Sequence, residues 1–291
     1  MPPFNTSASA APHLQRKAEA TAVPLAEVLL ANPQPQLPPQ AVCDIFCGHR
    51  EFIALDIETH ALVEQTKVAV PSFKKHRSGG KLRVFDPLSA GNASELRCVQ
   101  VSVARGRISD EAPVVKEWLV RPAGFEIEAS ATEVHRITHE RALSEGLPLQ
   151  RVLKEVFQLV KRAFDAGACV TAYNLRFDAA VLQAEFQREG LIKESVDWDT
   201  MTQAGVCTMA PAIQQWLREI GKQDGNQMTG LKKVVQAVLP RYAWMLRGHH
   251  DAAFDAFFAW HLCRRFALDC GNRDEPPTPC AASSSCGRGV L

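Results

Sequence analysis

The feature that most constrains this chain is a pair of acids at the end of an apolar run. Asp56 and Glu58 stand two residues apart and follow segment 52–55, which reads Phe-Ile-Ala-Leu. Side chains two apart on a β-strand share a face, so both carboxylates are expected to project together, while the alternate residues from Ile53 to Ile57 pack on the opposite side. Oxygen ligands of this kind suit a hard cation such as Mg²⁺ or Mn²⁺.

Three residues further along the chain can complete a metal site. Asp178 stands in the first turn of a predicted helix, and His250 stands five positions before Asp255. Four carboxylates in one cleft repel one another unless divalent cations are bound, and such cations lower the pKa of a coordinated water. A histidine, with an ordinary pKa of about 6.5, can accept a proton from that water. The residues together predict a two-metal centre able to cleave a phosphate diester.

Each of these residues also has an ordinary structural interpretation. The acid pair could be a solvated strand end. An acid at position 178 is favoured by the helix dipole whatever its function. His249 and His250 could be exposed loop residues and Asp255 a surface acid, although the apolar stripe that follows Asp255 would place it beside buried side chains. The joint occurrence of the four acids and the histidine favours a metal-dependent active site.

Composition and charge narrow the class of protein. The chain has 291 residues, of which 46% are hydrophobic, with 33 basic and 32 acidic side chains. It can bury a sizeable core, and its near-zero net charge disfavours a broad basic surface for nucleic acid while leaving room for a local groove. Nine cysteines without a Cys-x-x-Cys pair favour reduced thiols and an intracellular location, in the nucleus or cytoplasm, with organelle import possible. No apolar run approaches the roughly 20 residues that a membrane helix needs.

Shifts in composition divide the chain into three parts. Residues 1–48, rich in Ala, Pro, Ser and Gln, are expected to be a disordered tail or a targeting segment. Residues 49–268 are expected to form one domain. Its basic insertion at about 61–95 could clamp a phosphate backbone, serve as an import signal or simply be solvated. Residues 269–291 lack the apolar content to pack and are expected to be a disordered C-terminal tail.

Hydrophobic periodicity within the domain predicts a mixed α/β sheet with helices on its faces. Three successive strands predict an antiparallel meander, and the strand, helix and strand that follow predict a crossover connection. The predicted elements are, in chain order, the strand carrying Asp56, strands at 99–103 and 114–120, a helix at 152–164 stopped by Gly167, a strand at 168–172, a helix at 177–190 and a short edge strand at 196–199.

Three motifs in this order resemble those of a known family. They are Asp56-Ile57-Glu58-Thr59 at a strand end, Asn174-Leu175-Arg176-Phe177-Asp178 after a strand, and His250 followed five positions later by Asp255. The segment His135-Arg136-Ile137-Thr138 is a weaker fourth match. Over most of the chain between Phe52 and Phe266, this pattern resembles the DnaQ-like exonucleases, the DEDDh branch of the ribonuclease H-like fold. The sister DEDDy branch has a tyrosine four positions before the last acid, where this chain has Asp251.

The resemblance implies a ribonuclease H-like fold and a 3′ to 5′ exonuclease that acts on single-stranded or frayed ends of DNA or RNA and releases 5′-nucleoside monophosphates. It also implies two divalent cations, Mg²⁺ or Mn²⁺, and a role for each site residue. Asp56 would bridge the ions, Glu58 and Asp255 would hold the ion on the nucleophile side, and Asp178 would hold the second ion directly or through water. The family's spacing selects His250 as the general base.

Other positions have two interpretations each. Thr59 and Asn174 could seat the terminal nucleotide or could be local turn or cap residues. Arg136 stands where the family commonly has glycine, so the local turn is expected to differ if that glycine's role is a positive φ. Asp199 is interpreted as structural, because it would add a fifth acid to a site that needs four.

The alternative function is a non-catalytic nucleic-acid-binding or scaffolding module built on the same fold. The presence of all five chemical positions favours the enzyme. An endonuclease is disfavoured, because the spacing of His250 and Asp255 is characteristic of the exonuclease branch.

Overall fold

A five-stranded mixed sheet organises the computed structural model, which describes residues 38–62, 95–221, 230–248 and 250–271. The strands are β1 (Glu51–Thr59), β2 (Cys98–Arg107), β3 (Val114–Leu119), β4 (Cys169–Ala172) and β5 (Val206–Cys207). Their order across the sheet is β3-β2-β1-β4-β5, in which β1 pairs antiparallel with β2 and parallel with β4. The predicted meander and mixed sheet are therefore confirmed.

Helices cover both faces of this sheet. The helices of the described residues are α1 (Gln40–Phe46), α2 (Ala129–His135), α3 (His139–Glu145), α4 (Leu149–Asp165), α5 (Leu175–Arg188), α6 (Ile192–Gln203), α7 (Pro211–Glu219), α8 (Leu231–Val238) and α9 (Ala252–Gly271), with a 3-10 segment at Pro240–Gly248. Helices α1, α7, α8 and α9 pack in one core and α4, α5 and α6 in the other. The candidate site lies where β1 ends between these two layers.

Strand β1 is buried on both faces, as a central strand should be. Phe52 and Ala54 pack in the core that contains α9, and Ile53, Leu55 and Ile57 pack in the core that contains α4. This alternation confirms the predicted orientation of the strand. It also directs the next two even-numbered side chains of the strand toward α9.

Strand β2 departs from the simple alternation of apolar and polar faces. Its polar residues Gln100 and Ser102 are buried, as are the valines that alternate with them. Helix α9 packs over β2, so the face that would otherwise meet water is covered. A buried carboxamide or hydroxyl must find a hydrogen-bond partner inside the protein.

The crossover from β3 to β4 follows the predicted pattern. Helix α4 buries Val152, Val156 and Val160, which recur at helical spacing on one face. The helix ends before Gly167, whose φ of +89° is the left-handed conformation that glycine adopts most readily after a helix. Strand β4 then runs parallel to β1.

The predicted edge strand at 196–199 is wrong. These residues lie within α6, and the edge strand is the shorter β5. The buried residues Ser195, Trp198 and Met201 recur every three positions, which is a helical face, whereas Val196 is 62% exposed. The Trp198 indole N–H donates to the Ala179 carbonyl (3.1 Å), so contact with α5 determines the conformation of this short segment.

The N-terminal tail predicted at 1–48 is too long, because α1 lies inside it and belongs to the core. Phe46 in α1 contacts the rings of Phe52 and Phe266 with centroid separations of 6.3 and 5.0 Å. At the other end of the domain, α9 continues three residues past the expected boundary at 268. Residues 1–37 and 272–291, and most of the basic insertion at 63–94, lie outside the described residues.

Two predictions from the sequence, that no helix spans a membrane and that the cysteines are reduced, can be compared with the described residues. No helix in this part of the chain has the length and apolar character needed to cross a bilayer. Six cysteines of the described segments are free thiols, namely Cys43, Cys47, Cys98, Cys169, Cys207 and Cys263. For these six, the structure agrees with the predicted reduced state.

Candidate metal site at the end of the central strand

The acid pair stands at the carboxyl end of β1, as predicted. Asp56 and Glu58 follow Phe52 and Ala54 on the face that meets α9, and both carboxylates are half-buried. Directly after Glu58, the pairing with β2 contains a bulge, because Glu58 pairs with Gln100 and the next residue pairs with Cys98. Bulges bend a strand and redirect its side chains, and they are common beside active sites.

Asp178 reaches this strand end from the first turn of α5. Its Oδ1 accepts a hydrogen bond from the backbone N–H of Ile57 (3.1 Å), between the two acids of β1. Strand β4 pairs with β1 only as far as Leu55 and Ala172. The Asp178 carboxylate therefore takes a backbone donor that lies beyond the end of the parallel ladder, which fixes one of its oxygens beside Asp56.

The start of α9 carries the remaining two predicted residues. Glu58, His250 and Asp255 each offer a ligand atom, and these atoms lie within 4.8 Å of one another. The His250 backbone N–H donates to Asp255 Oδ2 (3.3 Å), and His250 itself adopts a left-handed φ of +68°. The turn before α9 thus brings the histidine ring to the same point as the buried Asp255 carboxylate.

The electrostatics of the cluster favour protonated carboxyls in the absence of cations. Burial raises the pKa of Asp56 well above its usual range, and the carboxylates of Asp178 and Asp255 raise it further. The pKa of Glu58 is raised in the same way, by burial first and then by Asp255. Burial raises the pKa of Asp178 to about 7, although its hydrogen bond from Ile57 opposes the shift.

This donor set fits a hard divalent cation. The carboxylates repel one another when they are deprotonated. A bound dication offsets this repulsion, and its preferred ligands are oxygen atoms. The four predicted acids and His250 come from three separate parts of the chain and meet at one strand end. The structure therefore brings together all five residues predicted from the motifs.

The side chains of the two predicted substrate residues show at most a local hydrogen bond in the described structure. The Thr59 hydroxyl donates to the Ala61 carbonyl (2.9 Å), which is a turn contact. Asn174 is the N-cap residue of α5, but its side chain makes no capping hydrogen bond. Contact with a nucleotide is untested for both residues. Asp199 lies on α6, where it accepts a hydrogen bond from the Gln203 side chain (2.7 Å), in agreement with a structural role.

His135 supports the strand end from the weaker fourth motif. Its Nδ1 accepts from the backbone N–H of Ile137 (3.0 Å), so its Nε2 is the protonated nitrogen that donates to the Thr59 carbonyl (3.2 Å). Burial lowers the pKa of His135, and the nearby His250 lowers it further, while the contact with Thr59 opposes the shift. The imidazole is 6% exposed and fixes the backbone immediately after the acid pair.

The expectation that the turn at Arg136 differs is wrong. Arg136 has a φ of +65°, the left-handed conformation that glycine would adopt, and its N–H donates to the Thr132 carbonyl to end α2. The hydrogen bond from His135 to the Thr59 carbonyl and the one from the Ile137 N–H to His135 hold the turn. They do so although an arginine is less favourable there than a glycine.

We therefore expect Arg136→Gly to raise the free energy of unfolding by about 1 kcal/mol, because it relieves a left-handed conformation at an exposed side chain. The matched control is Glu133→Gly, at an exposed position inside α2, which should lower it by about 1 kcal/mol. Urea unfolding measures both changes. Equal destabilisation by the two glycines would contradict the conformational argument.

Sequence reasoning missed the role of Asp251. Its side chain accepts from the Ala253 N–H (3.0 Å), and its carbonyl accepts from the N–H groups of Phe254 and Asp255, so it is the N-cap of α9. Its charge also raises the pKa values of Asp56 and Glu58. An aspartate just before an apolar helical stripe is an N-cap signal that could have revealed it.

Comparison with known proteins gives a match in three dimensions only. No family model matches the chain, and no curated protein matches it in sequence. A structure of E. coli exonuclease I in complex with a 5cy-dA13 oligonucleotide matches with 16% identity and a TM-score of 0.50, over 76% of this chain and 41% of the exonuclease I chain. This chain shares the fold of that structure, which agrees with the expected ribonuclease H-like sheet flanked by helices.

Two other exonuclease I structures match less closely. The E. coli enzyme in complex with a dA16 oligonucleotide matches with 14% identity and a TM-score of 0.49, over 76% of this chain and 41% of that one. A moderately thermophilic exonuclease I from Methylocaldum szegediense matches with 16% identity and a TM-score of 0.46, over 74% and 40%. This chain spans about two-fifths of the exonuclease I chains that it matches.

Proposed function

We propose that this chain is a metal-dependent 3′ to 5′ exonuclease that hydrolyses phosphodiester bonds of DNA or RNA and releases 5′-nucleoside monophosphates. The observation that carries the proposal is the convergence of Glu58, His250 and Asp255 within 4.8 Å, although nearly two hundred residues separate the first from the others. Asp56 and Asp178 stand beside them with raised pKa values. Perturbed acids that gather with a histidine at one strand end are typical of catalytic sites.

The chain's own residues divide into ligands and a base. Asp56, Glu58, Asp178 and Asp255 would hold two divalent cations, Mg²⁺ or Mn²⁺, with Asp56 shared between them and Asp178 on the second. When bound, such ions supply a coordinated water of lowered pKa and stabilise negative charge on the departing 3′ oxygen. These carboxyls would have to be deprotonated to hold an ion, so their raised pKa values would weaken binding at low pH.

His250 is proposed as the general base. Its ring lies at the exposed edge of the cluster, where an imidazole nitrogen can take a proton from the attacking water and pass it to solvent. The hydrogen bond from its backbone N–H to Asp255 ties the position of the histidine to that of a ligand carboxylate. The base and one metal ligand therefore belong to the same turn.

Nucleic acid is the proposed partner. The matched E. coli exonuclease I structure holds a dA13 oligonucleotide, and at the shared level of fold this supports a nucleic acid strand as the substrate. The 3′ to 5′ direction and the use of single-stranded or frayed ends rest on the resemblance of the three motifs. All of these points are open to direct test on defined strands.

The test uses 5′-labelled linear strands and matched circular strands of DNA and RNA, each with Mg²⁺, Mn²⁺ or a chelator. We expect the linear label to shorten stepwise from its 3′ end only when a metal is present, and the circles to stay intact. Release of the label as the first product would show the opposite direction, and cleavage of circles would show an endonuclease. Strand binding without hydrolysis in any metal would support the non-catalytic module instead.

Matched variants identify the site that is responsible for the activity. Asp56→Asn removes a predicted bridging ligand and should lower turnover about a thousandfold or more. Asp199→Asn removes an acid of α6 that lies outside the cluster and should leave turnover within about twofold of the wild type. Equal activities of the two variants would place the hydrolytic site elsewhere.

A further inference from the structure

Gln100 on β2 is a buried polar residue that the motifs do not explain. It stands directly opposite Glu58 in the β1–β2 register and is 6% exposed. Its side-chain Oε1 accepts a hydrogen bond from the backbone N–H of Ala252 (3.2 Å), which is fully buried. The donor is a backbone amide, so the carboxamide must present its oxygen and not its nitrogen to Ala252.

This hydrogen bond completes the set of acceptors at the start of α9. A helix has no internal acceptors for its first N–H groups, which must find partners elsewhere. Asp251 accepts from Ala253 through its side chain and from Phe254 and Asp255 through its carbonyl. The first N–H of the helix, that of Ala252, goes to Gln100 instead. Among these acceptors, Gln100 is the one that comes from the sheet.

The same bond ties the two halves of the candidate metal site together. Ala252 stands two residues after His250 and three before Asp255, whereas Gln100 faces Glu58 across the strand pair. Further along, α9 is attached to the end of β2 by the Trp260 indole, which donates to the Gly106 carbonyl (3.0 Å). That second contact lies more than two helical turns beyond Ala252, so of these two hydrogen bonds the one to Gln100 is the one that holds the first turn.

We propose that Gln100 is a positioning residue that holds the first turn of α9 against β2 and thereby sets the distance from His250 and Asp255 to Glu58. The inference rests on the proposed function in that it concerns the same metal site. Its direct consequences are the metal affinity and the order of the helix start, and neither requires turnover. Residues that orient metal ligands in this way affect affinity or activity by roughly ten- to a hundredfold.

The test compares three variants with the wild type. Gln100→Met keeps the length of the side chain but has no oxygen to accept from Ala252. Gln100→Glu keeps an oxygen acceptor and should act as the rescue. Ser102→Ala is the matched control, because Ser102 is buried on the same face of β2 but donates to the Lys116 carbonyl on β3 (3.1 Å), away from α9. Mn²⁺ affinity is measured by calorimetry, and amide exchange at the start of α9 is measured in the metal-free chain.

We expect Gln100→Met to weaken Mn²⁺ binding by roughly ten- to a hundredfold and to speed exchange at the start of α9 by about tenfold. Gln100→Glu should keep both values near those of the wild type or tighten Mn²⁺ binding, and Ser102→Ala should change neither. Wild-type values in Gln100→Met, or equal losses in Ser102→Ala, would overturn the inference. If Gln100→Met does not fold, loss of both properties in Gln100→Glu overturns it. If the wild type binds Mn²⁺ but cleaves no strand, the proposed function is refuted. The role of Gln100 is still decided in that case, because the affinity and exchange comparisons do not require turnover.

Discussion

Replacement of His250 by asparagine is expected to lower kcat by roughly a hundred- to ten-thousandfold, the contribution of a well-placed general base. Asparagine is the informative choice because His250 has a φ of +68°, a conformation that asparagine tolerates better than most residues. His250→Ala should show the same loss of turnover with an added loss of stability of about 1 kcal/mol. The shared loss of kcat then reports the chemistry of the ring, and the difference in stability between the two variants reports the strain of the turn.

Metal binding decides whether the histidine is a base or a ligand. The ring lies in the same 4.8 Å group as the carboxylates of Glu58 and Asp255, so both roles are geometrically open. For a base, Mn²⁺ affinity should stay within about tenfold of the wild type while kcat falls much further. Parallel losses of affinity and kcat would identify a metal ligand. His249→Ala, at a position outside the described residues, should change little, and a loss equal to that of His250→Ala would contradict the choice of His250.

The Asp178 carboxyl is expected to lower the stability of the metal-free protein as the pH rises from about 5 to about 7. The pKa of Asp178 is about 7 in the folded chain and 3.8 for a free side chain. In the window between these values the folded chain binds a proton that the unfolded chain has released, so the free energy of unfolding falls with rising pH. The roughly two pH units between pH 5 and pH 7 correspond to on the order of 3 kcal/mol, and the raised pKa values of Asp56 and Glu58 act in the same direction.

Other titrating groups also act in this range. Burial lowers the pKa of His135, and lowers that of His261 to about 3, so each of these histidines adds stability as the pH rises toward 6.5. The effect of the acid cluster is therefore measured as the difference in slope between the wild type and Asp178→Asn.

Among the acids, Glu155 leaves the window clear. Glu155 has a pKa lowered to about 2 by hydrogen bonds from Trp118, Arg151 and Lys116. Its contribution is present above its unfolded value of 4.5 and is lost only as the pH falls through about 2. It is therefore constant between pH 5 and pH 8, roughly speaking, and does not mask the effect of the acid cluster.

Added Mn²⁺ should reverse the trend. The ion binds the deprotonated carboxylates, so its affinity and the stability it adds both increase with pH. Urea unfolding in chelator and in Mn²⁺ across this pH range measures the two slopes. Asp178→Asn is the matched variant, because its side-chain oxygen can still accept from Ile57 while the titrating group is gone. A metal-free wild type whose stability falls no more steeply with pH than that of Asp178→Asn would contradict the raised pKa of Asp178.

Much of the site could be predicted because its residues lie in short sequence motifs. Asp56 and Glu58 follow an alternating strand, and Asp178 follows a strand and opens a helix. His250 and Asp255 are only five positions apart, so their spacing is also a local signal. The order of the three motifs along the chain is what connects them into one predicted site. Gln100 could not be found in this way, because its partner Ala252 is 152 residues away and only the packing of α9 on β2 brings them together.

The errors in the predicted elements have the same origin. The segment 196–199 has too few residues for its periodicity to distinguish a strand from a helix, and the contact of Trp198 with α5 decides the matter. Helix α1 is seven residues long in a region rich in Pro and Ala, and it is stable because Phe46 packs between β1 and α9. Arg136 keeps a left-handed turn because its neighbours are held by hydrogen bonds.

The sequence by itself determined the central strand, the meander, the crossover helix and the identity of the five clustered residues, since each depends on periodicity or spacing over a few turns or strands. The tertiary structure alone decided how close those residues stand, which of them have raised pKa values, and what holds α9 in place against β2. Distances between remote segments and the burial of a carboxylate are properties of packing. They arise only when the two layers of helices close on the sheet.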